Sequence, residues 1–209
     1  MMRTWIQSVA RSLISACVFS VMLATSTAVV GDGHVVSAQA NPRIEYRVLA
    51  TTKTSTMEKE LNEAAEAGFR FQAVMGGETA FGGSEVVAVM SRASGARPRY
   101  GYRLLATSKT STMQKELQEA ADAGFEYEGQ TVFKSVFGGE EVVCILERDK
   151  DAESQRSEYK LLATSKSGTL QKELLDAGAA GYQIVGMTVS KTAMGGKELV
   201  AITRRSRTQ

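Results

Sequence analysis

Histidine and cysteine are scarce in this chain of 209 residues, which contains one histidine and two cysteines. His34 and Cys17 both fall within the first forty residues, a segment with the pattern of a removable leader. Without His34 the chain has no histidine for acid–base catalysis or for binding a metal ion. Cys144 would then be the single cysteine, which excludes an intrachain disulfide. It lies in an apolar run and is predicted to be a small buried side chain, so we expect no catalytic residue, no metal site and no cofactor.

The chain also lacks an excess of charge of one sign, since 25 basic residues face 23 acidic ones. Arg3, Arg11 and Asp32 are the charged residues of the first forty, so the remainder carries a net charge of about +1. Nucleic-acid binding is not expected, because it requires a concentrated basic surface. The basic stretch Arg204–Arg207 is predicted to be a solvated chain end.

The one long apolar stretch lies near the N-terminus, over Leu13–Val30, and two arginines precede it. Ser37–Ala40 then supplies a small-x-small cleavage pattern. We predict a secretory signal peptide over residues 1–40, with an alternative cleavage site after Ala28. The mature protein is then expected in the periplasm or outside the cell, with no stable membrane insertion.

Two alternatives remain for this segment. A retained membrane anchor needs about 20 apolar residues, and Ser20 and Thr25–Thr27 interrupt the run. Ile14–Cys17 resembles a lipobox, but the apolar stretch lies mostly after that cysteine, whereas a lipoprotein signal places it before.

Three copies of one thirteen-residue segment follow. Equivalent positions lie 56 residues apart between the first and second copies and 57 apart between the second and third. No loop inside a copy changes length up to the paired glycines that follow. The chain is therefore a tandem repeat protein. The three segments are Leu49–Leu61, Leu105–Leu117 and Leu162–Leu174.

Each copy predicts a strand, a helix and two further strands. In the first copy the alternating run Tyr46–Ala50 predicts the first strand. Ser55 and Glu58 have the spacing of a capping box, which predicts the start of the helix. Gly68 stands where a helix ends with a left-handed residue. One face of the predicted helix is apolar and consists of Met57, Leu61, Ala64 and Ala65.

The later copies repeat this pattern with small changes. Ser111 and Gln114 form the same capping pair in the second copy, whereas Gly168 replaces the serine in the third. The last strand of each copy, such as Val142–Leu146, is apolar on both faces and should be central in its sheet.

These features predict an α+β fold of three tandem βαββ repeats over residues 44–92, 100–148 and 157–205. Each repeat should form a three-stranded sheet in the order 1-3-2 with one helix over it. A unit of this size buries too little surface to be stable alone. We therefore expect the three repeats to form one compact unit, with their open sheet faces packed on one another.

The third copy resembles a known family in two segments, Tyr159–Leu162 and Leu174–Val185. They are similar to the short bacterial proteins grouped as domain of unknown function 4177, which have Tyr-Lys-Val-Val and later Leu-Asn-x-x-Gly-x-Glu-Gly-Trp-Glu-Leu-Val. The chain departs from the family at Phe69, Phe125 and Tyr182, which stand where the family has tryptophan. The resemblance implies the βαββ fold and a bacterial source, and it implies no activity.

The candidate ligand site is the loop between the first strand and the helix of each copy. Hydroxyl groups, one lysine and the amides of a helix start could bind a phosphate or a carboxylate. The simpler interpretation is that the hydroxyls cap the helix and the lysine is solvated. The candidate residues are Thr51, Lys53, Ser55, Thr107, Lys109, Ser111, Thr164, Lys166 and Ser167.

The loops with paired glycines precede a strand and lack the pattern of a nucleotide-binding loop, so they are predicted to be hairpin turns. Their apolar tips suggest a surface for a partner. These tips are Phe81, Phe137 and Met194.

Taken together, the sequence favours a non-enzymatic exported protein that acts as a binding or scaffold module for a partner protein or a small ligand. The alternative is a sensor or enzyme for a small anionic ligand, built from the three lysine-bearing loops. A third alternative is a homo-oligomer formed by pairing of edge strands between chains.

Overall fold

A computed structural model describes residues 43–79, 83–134, 140–153, 156–191 and 196–207. The predicted signal peptide and the apolar loop tips at Phe81, Phe137 and Met194 lie outside these ranges.

Within the described ranges each repeat consists of one strand, one helix and two more strands. The first repeat contains β1 (Ile44–Thr51), α1 (Thr54–Glu66), β2 (Arg70–Thr79) and β3 (Gly83–Ala93). The second contains β4 (Tyr100–Thr107), α2 (Thr110–Asp122), β5 (Glu126–Lys134) and β6 (Glu140–Asp149). The third contains β7 (Ser157–Thr164), α3 (Ser167–Ala179), β8 (Gln183–Lys191) and β9 (Lys197–Ser206).

The three sheets have the predicted strand order. They run β1-β3-β2, β4-β6-β5 and β7-β9-β8, and each central strand is antiparallel to both neighbours. This confirms an α+β fold of three βαββ repeats. The first two strands of each repeat are therefore parallel to each other at the edges of the sheet, and the third strand lies between them.

The helices bury the predicted apolar face and end at the predicted glycines. Met57, Leu61, Ala64 and Ala65 are buried in α1. Gly68 has a φ angle of 84°, and its amide donates to the carbonyl of Ala65 at 2.9 Å. The next amide, of Phe69, donates to the carbonyl of Ala64 at 3.1 Å, so the helix ends in a Schellman motif.

The predicted capping boxes are wrong. The N-cap of α1 is Lys53, which makes no capping hydrogen bond through its side chain, and Ser55 is the second residue of the helix. The helix begins early because the Thr51 hydroxyl accepts a hydrogen bond from the Lys53 amide at 3.2 Å and closes the turn there. Glu58 bonds to the next repeat instead, where its Oε2 atom accepts from the amide of Leu104 at 2.8 Å.

The second central strand, β6, is buried on both faces, as the sequence predicted for Val142–Leu146. Cys144 and Leu146 pack on the face that α2 covers. Val143 and Ile145 pack on the opposite face, within the hydrophobic cluster of the first repeat. Each sheet thus has one face under its own helix, and we call the other its open face.

The open faces do not pack on one another, contrary to expectation. The open face of the second sheet lies over the groove between α1 and β2 of the first repeat, and β4 and β5 make the contacts. The third sheet lies in the same way over α2 and β5. A helix and a sheet leave their shared core open along one side, and the next repeat covers that side. We call this side of each repeat its helix–strand groove.

Candidate interaction surfaces

The junction between the first and second repeats begins with polar side chains of α1. The Nδ2 atom of Asn62 donates to the carbonyl of Tyr102 at 2.9 Å, and its Oδ1 atom accepts from the amide of the same residue at 2.9 Å. Together with Glu58, which accepts from Leu104, these bonds satisfy the outer edge of β4. A strand edge that would otherwise be open is therefore closed by a helix.

The junction between the second and third repeats uses the equivalent positions. The Oε1 atom of Gln118 accepts from the amide of Tyr159 at 3.1 Å. The Oε1 atom of Gln114 accepts from the amide of Leu161 at 2.7 Å, and its Nε2 atom donates to the carbonyl of Tyr159 at 2.9 Å. The same contact is therefore built twice with different side chains.

A buried tyrosine hydroxyl is central to each junction. The amide of Phe71 donates to the hydroxyl of Tyr102 at 2.8 Å. The amide of Tyr127 donates to the hydroxyl of Tyr159 at 2.8 Å. Each donor lies at a register irregularity in its strand. Burial raises the pKa of both tyrosines, so both hydroxyls stay protonated at neutral pH.

An ion pair accompanies each tyrosine, with the signs exchanged between junctions. Arg70 of the first repeat pairs with Glu147 of the second at 2.9 Å. At the equivalent positions Glu126 of the second repeat pairs with Arg204 of the third at 3.1 Å. The side chain of Glu147 is only 5% exposed, so the loss of its partner would leave a buried charge.

Glycines allow aromatic side chains to approach the next sheet closely. A Cβ atom on Gly129 would lie 3.3 Å from the ring of Phe71. Gly186 has the equivalent place in the third repeat, where a Cβ atom would overlap the hydroxyl of Tyr127. The two junctions are therefore matched in shape as well as in polarity.

The first repeat leaves its open face uncovered. Tyr46 is the equivalent of Tyr102 and Tyr159, which are 4% and 3% exposed, but Tyr46 itself is 67% exposed. Three further apolar side chains of this face are exposed beside it. We call this surface, consisting of Ile44, Tyr46, Val48 and Met75, the first open face.

The third repeat leaves its helix–strand groove uncovered. Leu175 stands where the first two helices have Asn62 and Gln118, and it is 64% exposed. Three exposed apolar residues of β8 border the same groove. We call this surface, consisting of Leu175, Ile184, Met187 and Val189, the third groove.

These two surfaces account for nearly all exposed large apolar side chains of the described residues. There are nine such side chains, of which four belong to the first open face and four to the third groove. The ninth is Val132 in the second repeat. Contiguous apolar surface of this kind is typical of an interaction site.

The predicted ligand loops lie in three different repeats, each between the first strand and the helix of its own repeat. In each loop the threonine hydroxyl accepts a hydrogen bond from the lysine amide, at 3.2 Å in every repeat. The hydroxyl is therefore used within its own turn, and the lysine and serine side chains are exposed. Four clefts found among the described residues are lined by other side chains. The loop residues are Thr51, Lys53, Ser55, Thr107, Lys109, Ser111, Thr164, Lys166 and Ser167.

The basic stretch near the C-terminus is exposed at Ser206 and Arg207, as predicted, but it begins inside the last strand. Arg204 and Arg205 belong to β9, and Arg205 pairs with Glu158 at 2.8 Å. Arg207 pairs with Asp122 of the second repeat at 3.1 Å. These arginines line a cleft of about 710 Å³. Because each already has a carboxylate partner, the cleft offers little positive charge to an anion.

Cys144 has the predicted character of a buried apolar residue. Its side chain is fully buried, and burial raises the pKa of the thiol to about 12. A thiol with this pKa is protonated at neutral pH and is a poor nucleophile.

Among the described residues no group of three histidine, cysteine, aspartate or glutamate side chains is placed to hold a metal ion. None of the helices in these ranges is long and apolar enough to cross a bilayer. Comparisons with protein-family models, curated proteins and solved structures give no significant match. The family resemblance of the third repeat therefore stays a prediction, and function has to be inferred from the surfaces of the chain itself.

Proposed function

We propose that this chain is an exported, non-enzymatic scaffold that binds a protein partner through the first open face and the third groove. The observation that carries the proposal is the exposure of Tyr46, whose equivalents Tyr102 and Tyr159 are buried by a neighbouring repeat. The end repeats of repeat proteins usually have a polar outer face, which keeps them soluble. Here both ends are apolar, which supports a protein that covers them.

The surface composition also supports a protein partner. The first open face combines an aromatic side chain with aliphatic ones and includes the edge strand β1. Aromatic residues and methionine, here Tyr46 and Met75, are enriched at the centres of protein interfaces. The N-terminal leader pattern supports binding in the periplasm or outside the cell.

Site-specific crosslinking tests this proposal. A photoreactive phenylalanine analogue replaces Tyr46 or Leu175 in the full chain, which is expressed in an exporting host and irradiated in intact cells. The matched control carries the analogue at Ser108, an exposed position of the second repeat. We expect discrete protein adducts from positions 46 and 175 and none from position 108. Equal yields at the three positions, or no adducts at all, would refute the proposed function.

A further inference from the structure

The first open face and the third groove are the two halves of one junction. Inside the chain, an open face lies on the helix–strand groove of the repeat before it, and this contact occurs twice. The first open face lacks a groove to lie on, and the third groove lacks an open face. We infer that a second copy of this chain places its first open face on the third groove, so that chains join head to tail. This inference rests on the proposed function and identifies the partner.

The polar edge contact is retained in the third helix. Gln171 stands at the position of Gln114, whose amide group bonds to the edge of β7. It is exposed in the third repeat. On a second copy its side chain would bond to the carbonyl of Tyr46 and the amide of Val48, the equivalents of Tyr159 and Leu161.

The tyrosine contact also has its counterpart. In both internal junctions the hydroxyl of the incoming tyrosine accepts a hydrogen bond from an amide at a strand irregularity. The third repeat has the same irregularity between Ile184 and Gly186. The hydroxyl of Tyr46 from a second copy would therefore meet the amide of Ile184.

The residues that pack against each other in the internal junctions are both replaced at the two ends of the chain. Internally, an aromatic ring faces a glycine, as Phe71 faces Gly129. At the ends, Ala73 takes the place of the glycine and the shorter Ile184 takes the place of the ring. Ile184 is smaller than the aromatic ring and Ala73 is larger than glycine. The combined volume of the pair therefore stays similar to that of the internal pairs.

The ion-pair positions change together as well. Each internal junction has one arginine and one carboxylate at these positions. The equivalent residues at the ends are Gln183 and Ser91, which are both uncharged. Contact between two copies would therefore bury no unpaired charge at this point.

A third change makes the end contact more apolar than the internal ones. Leu175 replaces Asn62 and Gln118, and Ile44 stands where the later repeats have Tyr100 and Ser157. Leu175 and Ile44 are 64% and 52% exposed, and contact between two copies would bury both. Burial of such side chains is the usual source of association free energy.

This contact is heterologous, since two different surfaces meet. Such a contact leaves an unused surface at each end of a dimer and continues into a filament or closes into a ring. Substitutions at the two surfaces therefore have a distinctive consequence. A chain with a defective first open face still has an intact third groove, and the reverse holds for a chain with a defective groove.

The test measures sedimentation velocity of the full chain, purified from an exporting host, from low to high micromolar concentration. Val48→Asp disables the first open face and Leu175→Asp disables the third groove, and both positions are exposed in the single chain. Ser108→Asp is the control for the added charge, and Tyr46→Arg is a second variant of the first open face. Circular dichroism and thermal unfolding establish that each variant is folded.

We expect concentration-dependent species larger than two chains for the original protein and for Ser108→Asp. Each surface variant, measured by itself, should sediment as a monomer, because its association is weakened about tenfold or more. These variants are Val48→Asp, Tyr46→Arg and Leu175→Asp. An equimolar mixture of Val48→Asp and Leu175→Asp should give a complex of two chains and nothing larger, because one intact surface of each remains.

Several results would overturn the inference. A monomeric original protein, or charged variants that associate like the original, would do so. A second contrary result would be that Leu175→Asp forms a dimer while Val48→Asp is a monomer. That result would indicate symmetric pairing of two first open faces. Crosslinks from position 46 to distant residues of the same chain, without self-association, would show that the chain itself covers this surface. A crosslink to a different protein, without self-association, would refute this inference and leave the proposed function standing.

Discussion

The hydroxyl of Tyr102 donates a hydrogen bond to the Oε2 atom of Glu147 at 2.7 Å. The same hydroxyl accepts from the amide of Phe71, and Arg70 holds the second carboxylate oxygen of Glu147. One tyrosine thus connects a strand irregularity of the first repeat to a buried carboxylate of the second. The network couples the two repeats through the buried Tyr102 and Glu147 and the half-exposed Arg70.

Removal of this hydroxyl should weaken the junction. Tyr102→Phe leaves the amide of Phe71 without its acceptor, and a buried group without a partner costs about 1–3 kcal/mol. The free energy of unfolding, measured in urea at low protein concentration, should fall by this amount. The control is Tyr46→Phe, at the equivalent exposed position, which should change it by less than about 0.5 kcal/mol. Equal effects of the two substitutions would contradict the role given to the junction.

Two adjacent glycines of β2 should respond differently to alanine. A Cβ atom on Gly76 would lie 2.5 Å from the backbone carbonyl of Val132 in the second repeat, whereas one on Gly77 would meet nothing within 4 Å. Gly76→Ala should therefore lower the free energy of unfolding by about 1–3 kcal/mol, because β2 and β5 have to separate. Gly77→Ala should be neutral or stabilising by about 0.5–1 kcal/mol. A stabilised Gly76→Ala variant would show that the repeats are not in contact there.

The fold of each repeat could be predicted from sequence because its determinants are local. The apolar face of α1 follows from the spacing of residues within the helix, and the helix end follows from Gly68 itself. The helix start was missed because two signals compete there. Ser55 has the spacing of a cap, but Thr51 closes the turn at Lys53 and the helix begins earlier.

The contacts between repeats could not be predicted in this way. Tyr46 and Tyr102 occur in the same local pattern, yet one is exposed and the other is buried. Their difference depends on the presence of a preceding repeat and not on any neighbouring residue. One end surface can be recognised in the sequence. Leu175 is apolar, whereas the equivalent residues of the other two helices, Asn62 and Gln118, are polar.

Export makes a prediction that mass spectrometry can check. If the first forty residues are a signal peptide, the protein recovered from an exporting host should begin at Asn41, or at Val29 when the earlier site is used. Replacing Ala38 and Ala40 by bulky residues should block cleavage at the first site, since that position accepts small side chains. Intact protein mass and cell fractionation provide the readout. A chain that keeps residue 1 and stays in the cytoplasm would contradict the predicted location.

The ion pair between Arg99 and Asp149 should contribute an acid-sensitive part of the stability. Hydrogen bonds from Arg99 lower the pKa of Asp149 to about 2, below the usual value of about 3.9 for an aspartate. A carboxyl whose pKa is lower in the folded chain stabilises that chain above the unfolded pKa, and this contribution is lost between about pH 4 and pH 2.

Asp149→Asn should therefore lower the free energy of unfolding by about 1 kcal/mol at pH 6, a figure reduced for the partial exposure of the pair. The difference between variant and original protein should disappear near pH 2. Asp151→Asn is the matched control, because Asp151 pairs with Arg97 at a more exposed place and should change stability by less than about 0.5 kcal/mol. Urea unfolding at pH 6, pH 4 and pH 2 provides the comparison. A difference that stays constant over this range would show that the Asp149 carboxylate does not stabilise the fold through its charge.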